Sequence, residues 1–335
     1  MVKQTILITG GAGFIGSAFV RLLVRKNIRP IVLDKITYAG DLGRLDQVKG
    51  RFTFHKVDIC DKKKVKGIFK KARPTLIVHF AAESHVDRSI IDAQAFLRTN
   101  IEGTQVLMDA ARQVGIKKFL HISTDEVYGD TRRGSFIEDS PLRPSSPYAA
   151  SKAAADLLIK SYMRTYGFPA IIIRPSNNYG PWQYPEKLIP LAILKASRRE
   201  EIPLYADGKN MREWLYVEDC VEGILSVVKR GKNGQVYNLG SNEERQNIEL
   251  VRMLLEIMGR PKTLIKFVKD RPGHDTRYYL DSSKVRRDCG WQPKITLKTG
   301  LKLTVRSYLE NKSWLLNKHR RIAALYTDRS YNYGF

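Results

Sequence analysis

Thr5-Ile6-Leu7-Ile8-Thr9-Gly10-Gly11-Ala12-Gly13-Phe14-Ile15-Gly16 decides the reading of this chain. An apolar run of strand length meets glycines at Gly-x-x-Gly-x-x-Gly spacing, and a helix-forming segment, residues 17–25, follows. Such glycines let the backbone approach a pyrophosphate at a helix N-terminus, whose free N–H groups favour an anion. Ile31-Val32-Leu33-Asp34 then offers a second strand ending in an acid, placed to accept hydrogen bonds from an adenosine ribose. A carboxylate there repels a 2′-phosphate. The implied cofactor is therefore NAD rather than NADP, held at Gly10, Gly13, Gly16 and Asp34.

Working outward, the alternation continues. Residues 52–57, 76–80, 119–122 and 170–173 read as strands, and residues 93–114 and 147–166 as helices, the last closed by Gly167. Strands separated by helices of this length predict the α/β class, with a doubly wound parallel Rossmann-type sheet. After Arg174-Pro175 the texture turns to loop chemistry, Tyr179-Gly180-Pro181-Trp182-Gln183-Tyr184-Pro185. Residues 1–175 are expected to form the NAD-binding domain, with a return to it around residues 215–243. Residues 176–214 and 244–335 are expected to form a smaller C-terminal substrate-binding lobe with a tail.

Length gives ample core for two domains. Val2-Lys3-Gln4 leads directly into the first strand, so no signal peptide is expected, and no apolar run approaches the roughly 20 residues of a membrane span. Cys60, Cys220 and Cys289 are odd in number and far apart, without disulfide or metal-ligand spacing. The expectation is a reducing cytoplasm and no metal. The net charge of +24 fits a nucleic-acid partner, an anionic small substrate or a heavily solvated surface. The basic residues are dispersed and no nucleic-acid module is recognisable, so no specific nucleic acid and no membrane is expected as partner.

The chemistry is expected between residues 123 and 152. Ser123-Thr124-Asp125-Glu126 follows an apolar strand, which sets two carboxylates and two hydroxyls at its carboxyl end, the ligand-binding edge of such sheets. Ser146 is a good N-cap and Pro147 a good first helical residue. Tyr148 and Lys152, four apart on that helix, share a face. A tyrosine titrates near 10, but an ammonium about 4 Å away at an effective dielectric near 20 favours the phenolate by roughly 4 kcal/mol. That pairing would make Tyr148 a general base near neutral pH.

These stretches resemble the extended short-chain dehydrogenase/reductases that act on nucleotide sugars, from Thr5 to about Leu315. The narrower likeness, carried by Asp34-Lys35-Ile36-Thr37-Tyr38-Ala39-Gly40, His79-Phe80-Ala81-Ala82-Glu83-Ser84-His85-Val86-Asp87-Arg88-Ser89 and Thr124-Asp125-Glu126, is to the members that dehydrate at carbons 4 and 6. The resemblance implies that Tyr148 takes the proton of the sugar 4-hydroxyl, with Lys152 and Thr124 assisting, while hydride leaves carbon 4 for NAD⁺. It implies that Glu126 removes the proton at carbon 5 and that Asp125 protonates the departing 6-hydroxyl. Hydride then returns to carbon 6.

By the same resemblance, NAD is held by Gly13, Phe14, Ile15, Asp34, Lys35, Thr37, Asp58, Ile59, Ala81, Ala82, Thr99, Tyr148, Lys152 and Asn178. The nucleotide sugar is held by Ser84, Thr124, Asn177, Lys187, Leu188, Pro203, Tyr205, Arg212, Asn247, Arg271, His274 and Tyr278. A homodimer through the two long helices is also implied. dTDP-glucose is the implied substrate, with UDP-glucose left open, because a thymine methyl is worth only about 1–3 kcal/mol in an apolar pocket. A 4-epimerase would share the cofactor and Tyr148/Lys152 but has no use for Asp125 as an acid. A noncatalytic NAD-dependent regulator is the rival of another class, since fold alone does not exclude it. The basic residues 318–321 and the aromatic tail, residues 331–335, run past the family's usual end and are expected to be a surface tail.

Overall fold

In the computed structural model, which describes residues 5–327, one parallel sheet organises the first half of the chain. Its strands are β1 (Ile6–Thr9), β2 (Ile31–Asp34), β3 (Thr53–Lys56), β4 (Leu76–His79), β5 (Lys118–Ile122) and β6 (Ala170–Pro175). Then come β7 (Asn177–Tyr179), β8 (Ile202–Tyr205) and β9 (Met211–Tyr216), before β10 (Val236–Leu239) completes the sheet beside β6. The order β10-β6-β5-β4-β1-β2-β3 reverses direction between β1 and β4, and the crevice at such a switch point is where these sheets bind ligands. Thr9 lies opposite both Leu33 and His79, so the carboxyl ends of β1, β2 and β4 open on one edge.

The inner strands are mostly apolar because both faces are covered, while the edge strand β3, Thr53-Phe54-His55-Lys56, is exposed or half-exposed along its length. The helices are α1 (Phe14–Arg25), α2 (Lys62–Ala72), the short α3 (Val86–Ile91) and α4 (Gln94–Phe96), α5 (Gly103–Gln113), α6 (Pro147–Tyr166), α7 (Leu188–Ser197) and α8 (Val217–Arg230). Ile8, Val32, Val78 and Leu120 pack under α1 and α8, while Leu7, Leu33, Ile77 and Phe119 pack under α2, α5 and α6. The doubly wound class expected from the alternation is the fold observed.

Two local features bear on the site. Ser146 caps α6 by accepting from Ala149 N at 3.1 Å, Pro147 opens it, and Gly167 ends it at a left-handed φ of +59°. The helix expected over residues 93–114 is instead broken by a π turn, Leu97–Glu102. The widened turn carries buried Asn100 inward, where it accepts from Glu83 N at 2.9 Å and donates to Ser151 at 2.8 Å. π turns of this kind recur at functional sites.

Most of the remaining chain builds a second core, while Val285, Cys289 and Trp291 pack back on the first. It adds β11 (Glu244–Gln246), α9 (Asn247–Ile257), β12 (Ile265–Val268), α10 (Ser283–Cys289), α11 (Leu297–Glu310) and α12 (Lys312–Thr327). β11-β9-β7 and β12-β8 form two small sheets, and Ile193, Leu204, Leu254, Leu301 and Leu315 meet beneath them. Leu315 anchors α12, so residues 318–321 belong to a docked helix. The aromatic tail, residues 331–335, lies outside the described residues. No described helix is long and apolar enough to cross a membrane.

Candidate active site

The glycine turn after β1 and the ends of β2, β4 and β5 line an open cavity. Gly10, Gly13, Phe14, Ile15, Gly16, Asp34, Lys35, Thr37, Asp58, Ile59, Ala81, Ala82, Thr99, Tyr148 and Lys152 line it. Side chains are excluded here by contact: a Cβ on Gly10 would stand 2.5 Å from Ala81 N, and one on Gly16 2.2 Å from Gly10 O. Gly13 caps α1 without a side chain, which leaves the first-turn N–H groups for an anion. Asp34 accepts from Ala12 N at 2.9 Å and Ile36 N at 2.7 Å, and burial pushes its carboxyl above the usual range. Lys35 pairs with Asp58 at 2.8 Å. A side-chain-free cradle at a helix N-terminus beside a fixed acid fits a dinucleotide.

A second cavity opens towards β8, β9 and α7. Its lining includes Glu126, Asn177, Lys187, Leu188, Pro203, Tyr205, Arg212, Asn247, Arg271, His274 and Tyr278. The cations are held in place. Arg271 pairs with Asp87 at 3.1 Å, and Arg212 donates to Met211 O at 2.7 Å and Asp275 O at 2.9 Å while lying over the Tyr278 ring. Tyr205 donates to the other Asp87 oxygen at 3.2 Å. Burial lowers the His274 imidazole to about 4, so it faces the cavity uncharged at neutral pH.

Two residues lie elsewhere than expected. Ser84, expected with the sugar, lines the first cavity, and its carbonyl accepts from Lys187 at 3.2 Å. Asn178, expected with the cofactor, lines the second, because β7 has already left the parallel sheet. The cavities share a wall of Gln183, Glu186 and Lys187. Glu186 went unread in the sequence, although an acid inside the aromatic Pro185-Glu186-Lys187 loop was the available signal. Buried, it is pushed up to about 7, accepts from Tyr38 at 3.0 Å and faces His85 at 3.6 Å.

Between the cavities, the end of β5 delivers the reactive groups. Thr124 caps a 3₁₀ turn, Asp125–Tyr128, and its hydroxyl donates to Asp125 at 3.1 Å. The other Asp125 oxygen is buried without a partner. Burial, then the neighbouring Glu126 charge, push the Asp125 carboxyl well above the carboxylate range. Burial also raises Glu126, but Arg271, Lys187 and Arg212 oppose it. Both adjacent acids are therefore raised, Asp125 the more strongly, because cations oppose burial at Glu126 while a neighbouring negative charge adds to it at Asp125.

Tyr148 and Lys152 depart from the simple pairing expected. Lys152 donates to Ile122 O at 2.7 Å and lies 3.2 Å from His121 Nε2, and burial lowers it to about 8. Tyr148 is tied by its backbone N, which donates to Ser89 at 3.1 Å, and burial, then the Glu126 charge, push its phenol well above the ordinary value. Behind Lys152 runs a buried row: His121, Asp156 at 3.8 Å from it, and Arg174 at 2.9 Å from Asp156. Spacing along α6 put Tyr148 and Lys152 on one face, but tertiary acceptors behind β5 set where the amine points.

A dinucleotide crevice at the switch point, with Tyr148, Lys152 and Thr124 at its inner end and a second, cation-lined cavity beyond, defines an extended short-chain dehydrogenase/reductase. The GDP-mannose 4,6 dehydratase family profile matches residues 7–304. The chain is 46% identical to the dTDP-glucose 4,6-dehydratase of Neisseria meningitidis serogroup B, over 97% of this chain and 100% of that one. The Streptomyces venezuelae dTDP-glucose 4,6-dehydratase, solved with NAD bound, superposes with a TM-score of 0.90 at 45% identity, covering 93% of this chain and 98% of that one. UDP-glucose 4-epimerase of Thermotoga maritima superposes at 0.87 with 31% identity, covering 92% and 99%. The chain belongs to the GDP-mannose 4,6 dehydratase family, in its dTDP-glucose 4,6-dehydratase branch.

Proposed function

We propose that the protein converts dTDP-glucose to dTDP-4-keto-6-deoxyglucose by oxidation at carbon 4, elimination of water across carbons 5 and 6, and reduction at carbon 6. The observation carrying this reading is the Thr124-Asp125-Glu126 turn, where buried Asp125 is raised well above the carboxylate range and its part-buried neighbour Glu126 is raised against three opposing cations. Tyr148 takes the proton of the 4-hydroxyl, Thr124 hydrogen-bonds that oxygen, and Lys152, on the lining of the cofactor cavity, holds the nicotinamide ribose. The new ketone acidifies carbon 5, where Glu126 removes the proton. Asp125 gives its proton to the departing 6-hydroxyl, and Glu126 then reprotonates carbon 5. Bound NAD⁺ supplies a hydride acceptor for carbon 4 and a donor for carbon 6.

Arg212, Lys187 and Arg271 suit a diphosphate, Arg through its planar donor fork. Asn177, Leu188, Pro203, Tyr205, Asn247, His274 and Tyr278 complete the sugar-nucleotide cavity. In this reading residues 1–175 with 215–243 hold NAD, and the rest form the sugar lobe, although Val285, Cys289 and Trp291 pack into the core beneath α1 and α8. Exposed Leu97 beside α5 and Leu157 on α6 support a homodimer through those helices. Three free thiols suit a reducing cytoplasm.

A 4-epimerase has no use for Asp125, and isotopes separate the two. With dTDP-glucose carrying deuterium at carbon 4, the label is expected to finish at carbon 6, while a run in heavy water places deuterium at carbon 5. A label returned to carbon 4, with carbon 5 unexchanged, would overturn the dehydratase reading. A parallel run with UDP-glucose reads the preference for the base.

A further inference from the structure

Buried His121 has no task in the proposed reaction, yet it touches a residue that has one. It lies on β5 two positions after Phe119, and side chains two apart on a strand share a face. That face is the one covered by α2, α5 and α6. His79 stands opposite it on β4, with the two ring centroids 5.1 Å apart. Both nitrogens of His79 are taken, by Thr9 at 2.7 Å and Thr104 at 3.0 Å. His121 is placed differently. Its Nε2 lies 3.2 Å from the Lys152 amine, and its Nδ1 has no hydrogen-bond partner among the described residues.

An ammonium only donates, so the imidazole nitrogen facing it has to accept. The ring proton therefore sits on Nδ1, and the imidazole is neutral. A protonated ring would offer no acceptor and would set a second positive charge against the first. Burial, then the charges of Lys152, His79 and Arg174, hold the ring well below the ordinary histidine range. Of the three ammonium hydrogens, one goes to Ile122 O at 2.7 Å and one to His121 Nε2. The third is left for the cofactor cavity, which Lys152 lines. Two fixed acceptors thus set the direction of a flexible four-carbon stem. We infer that His121 is a positioning residue: its Nε2 draws one Lys152 hydrogen behind β5 and so aims another at the nicotinamide ribose.

The inference rests on the proposed reading that Lys152 holds that ribose. The titratable groups facing the pair are Asp156 from α6, His79 from β4 and Arg174 from β6. Asp156 accepts from Arg174 at 2.9 Å through one oxygen, and its negative charge opposes burial at Lys152. The other oxygen, 3.8 Å from His121 Nε2, makes no hydrogen bond among the described residues. Asp156 therefore keeps the amine charged, while His121 directs it.

The test is a double-mutant cycle read on NAD affinity of the full chain, which needs no turnover. His121→Phe keeps a ring and removes the acceptor; Lys152→Met removes the amine. In the parent background His121→Phe is expected to weaken NAD by about tenfold, the lower end of what a hydrogen bond to a charged group contributes. In the Lys152→Met background the same change should leave NAD affinity within about twofold, since no amine remains to be aimed. His121→Gln, whose amide oxygen can reach the place of Nε2, should recover most of the lost affinity. Equal weakening by His121→Phe in both backgrounds would mean that the ring only supports the sheet, and would overturn the inference. Where His121→Phe does not fold, ring-nitrogen NMR of the parent decides: Nδ1 protonated with Nε2 bare at neutral pH supports the aiming, and a proton on Nε2 overturns it. NAD affinity unchanged by Lys152→Met would overturn the ribose contact and this inference with it. A parent that binds NAD but forms no 4-keto-6-deoxy product would overturn the dehydratase reading alone.

Discussion

The indole nitrogen of Trp314 donates a hydrogen bond of 2.6 Å to Asp41, 273 positions earlier in the chain. Lys318 reaches the same Asp41 oxygen at 2.8 Å. Asp41 N and Arg44 Nη1 both donate to Ala12 O, at 3.0 and 2.8 Å, and the Arg44 guanidinium lies over the Trp314 ring. Ala12 belongs to the glycine turn, and Gly40 and Arg44 line the cofactor cavity. α12 thus braces the floor of the cofactor cavity from the far end of the chain.

Removing both donors, as Trp314→Phe with Lys318→Met, should therefore loosen NAD. Hydrogen bonds to a charged group contribute about 1.5–3 kcal/mol, and Asp41 is only partly buried, so a loss of affinity of about tenfold is expected. NAD release from the full chain reads it directly. Burial pushes the Asp41 carboxyl up, but Lys318, Trp314 and Gly43 N outweigh it and hold it below the usual range. A depressed carboxyl stabilises the fold above its unfolded value, near 3.9, and less as pH falls through the folded value. The Tm gap between parent and variant should shrink in that acid window; an unchanged gap and unchanged NAD release would refute the brace.

Lys152 should cost the apoprotein stability at neutral pH. Burial lowers its amine to about 8, with Asp156 opposing, against about 10.4 in an unfolded chain. Between those values the unfolded chain binds more protons, so stability rises with pH there and the whole penalty, about 3 kcal/mol, is present below pH 8. Lys152→Met should raise the apoprotein Tm by several degrees at pH 7 while abolishing turnover, and its advantage should fade towards pH 10. A Tm at or below that of the parent at pH 7 would mean that the amine's contacts with Ile122 O and His121 outweigh its burial.

Much of the site was legible because its elements are local. The glycine turn, Asp34 and the Thr124-Asp125-Glu126 turn each follow a strand end directly, and the parallel register then carries them to one edge. The direction of Lys152 was not legible. Four-residue spacing predicts a shared helix face, but the amine turns to acceptors on β5, which only the packing of α6 against the sheet supplies. Glu186 and the Asp41–Trp314 contact are likewise long-range, joining segments with no common periodicity. The π turn at Leu97–Glu102 escaped notice because its apolar pattern is that of an ordinary helix.

Asp34 should set both cofactor affinity and choice. It is the acid at the end of β2, and its carboxylate is where a 2′-phosphate would have to sit. Asp34→Ala is expected to weaken NAD by about 10–100-fold, the worth of hydrogen bonds to a charged acceptor, and to relax discrimination against NADP. Competitive binding of the two dinucleotides measures this. Tighter binding of NADP than NAD by the unaltered chain would contradict the reading of that strand end.

The last prediction separates the two adjacent acids. Burial raises both carboxyls, but Arg271, Lys187 and Arg212 oppose it at Glu126, while the Glu126 charge adds to it at Asp125, so Asp125 holds its proton the more firmly and suits the acid's task. Glu126→Gln removes the base at carbon 5 but leaves Tyr148 free to act at the 4-hydroxyl. Oxidation should proceed and elimination stop, so a 4-keto sugar still carrying its 6-hydroxyl should accumulate on the protein, visible by mass spectrometry after rapid quenching. Asp125→Asn keeps the base and removes the acid, and should slow water loss by roughly 10²–10⁴-fold. Carbon 5 should continue to exchange with solvent in Asp125→Asn and cease to do so in Glu126→Gln. Exchange that persists in Glu126→Gln, or near-normal turnover by that variant, would reverse the assignment.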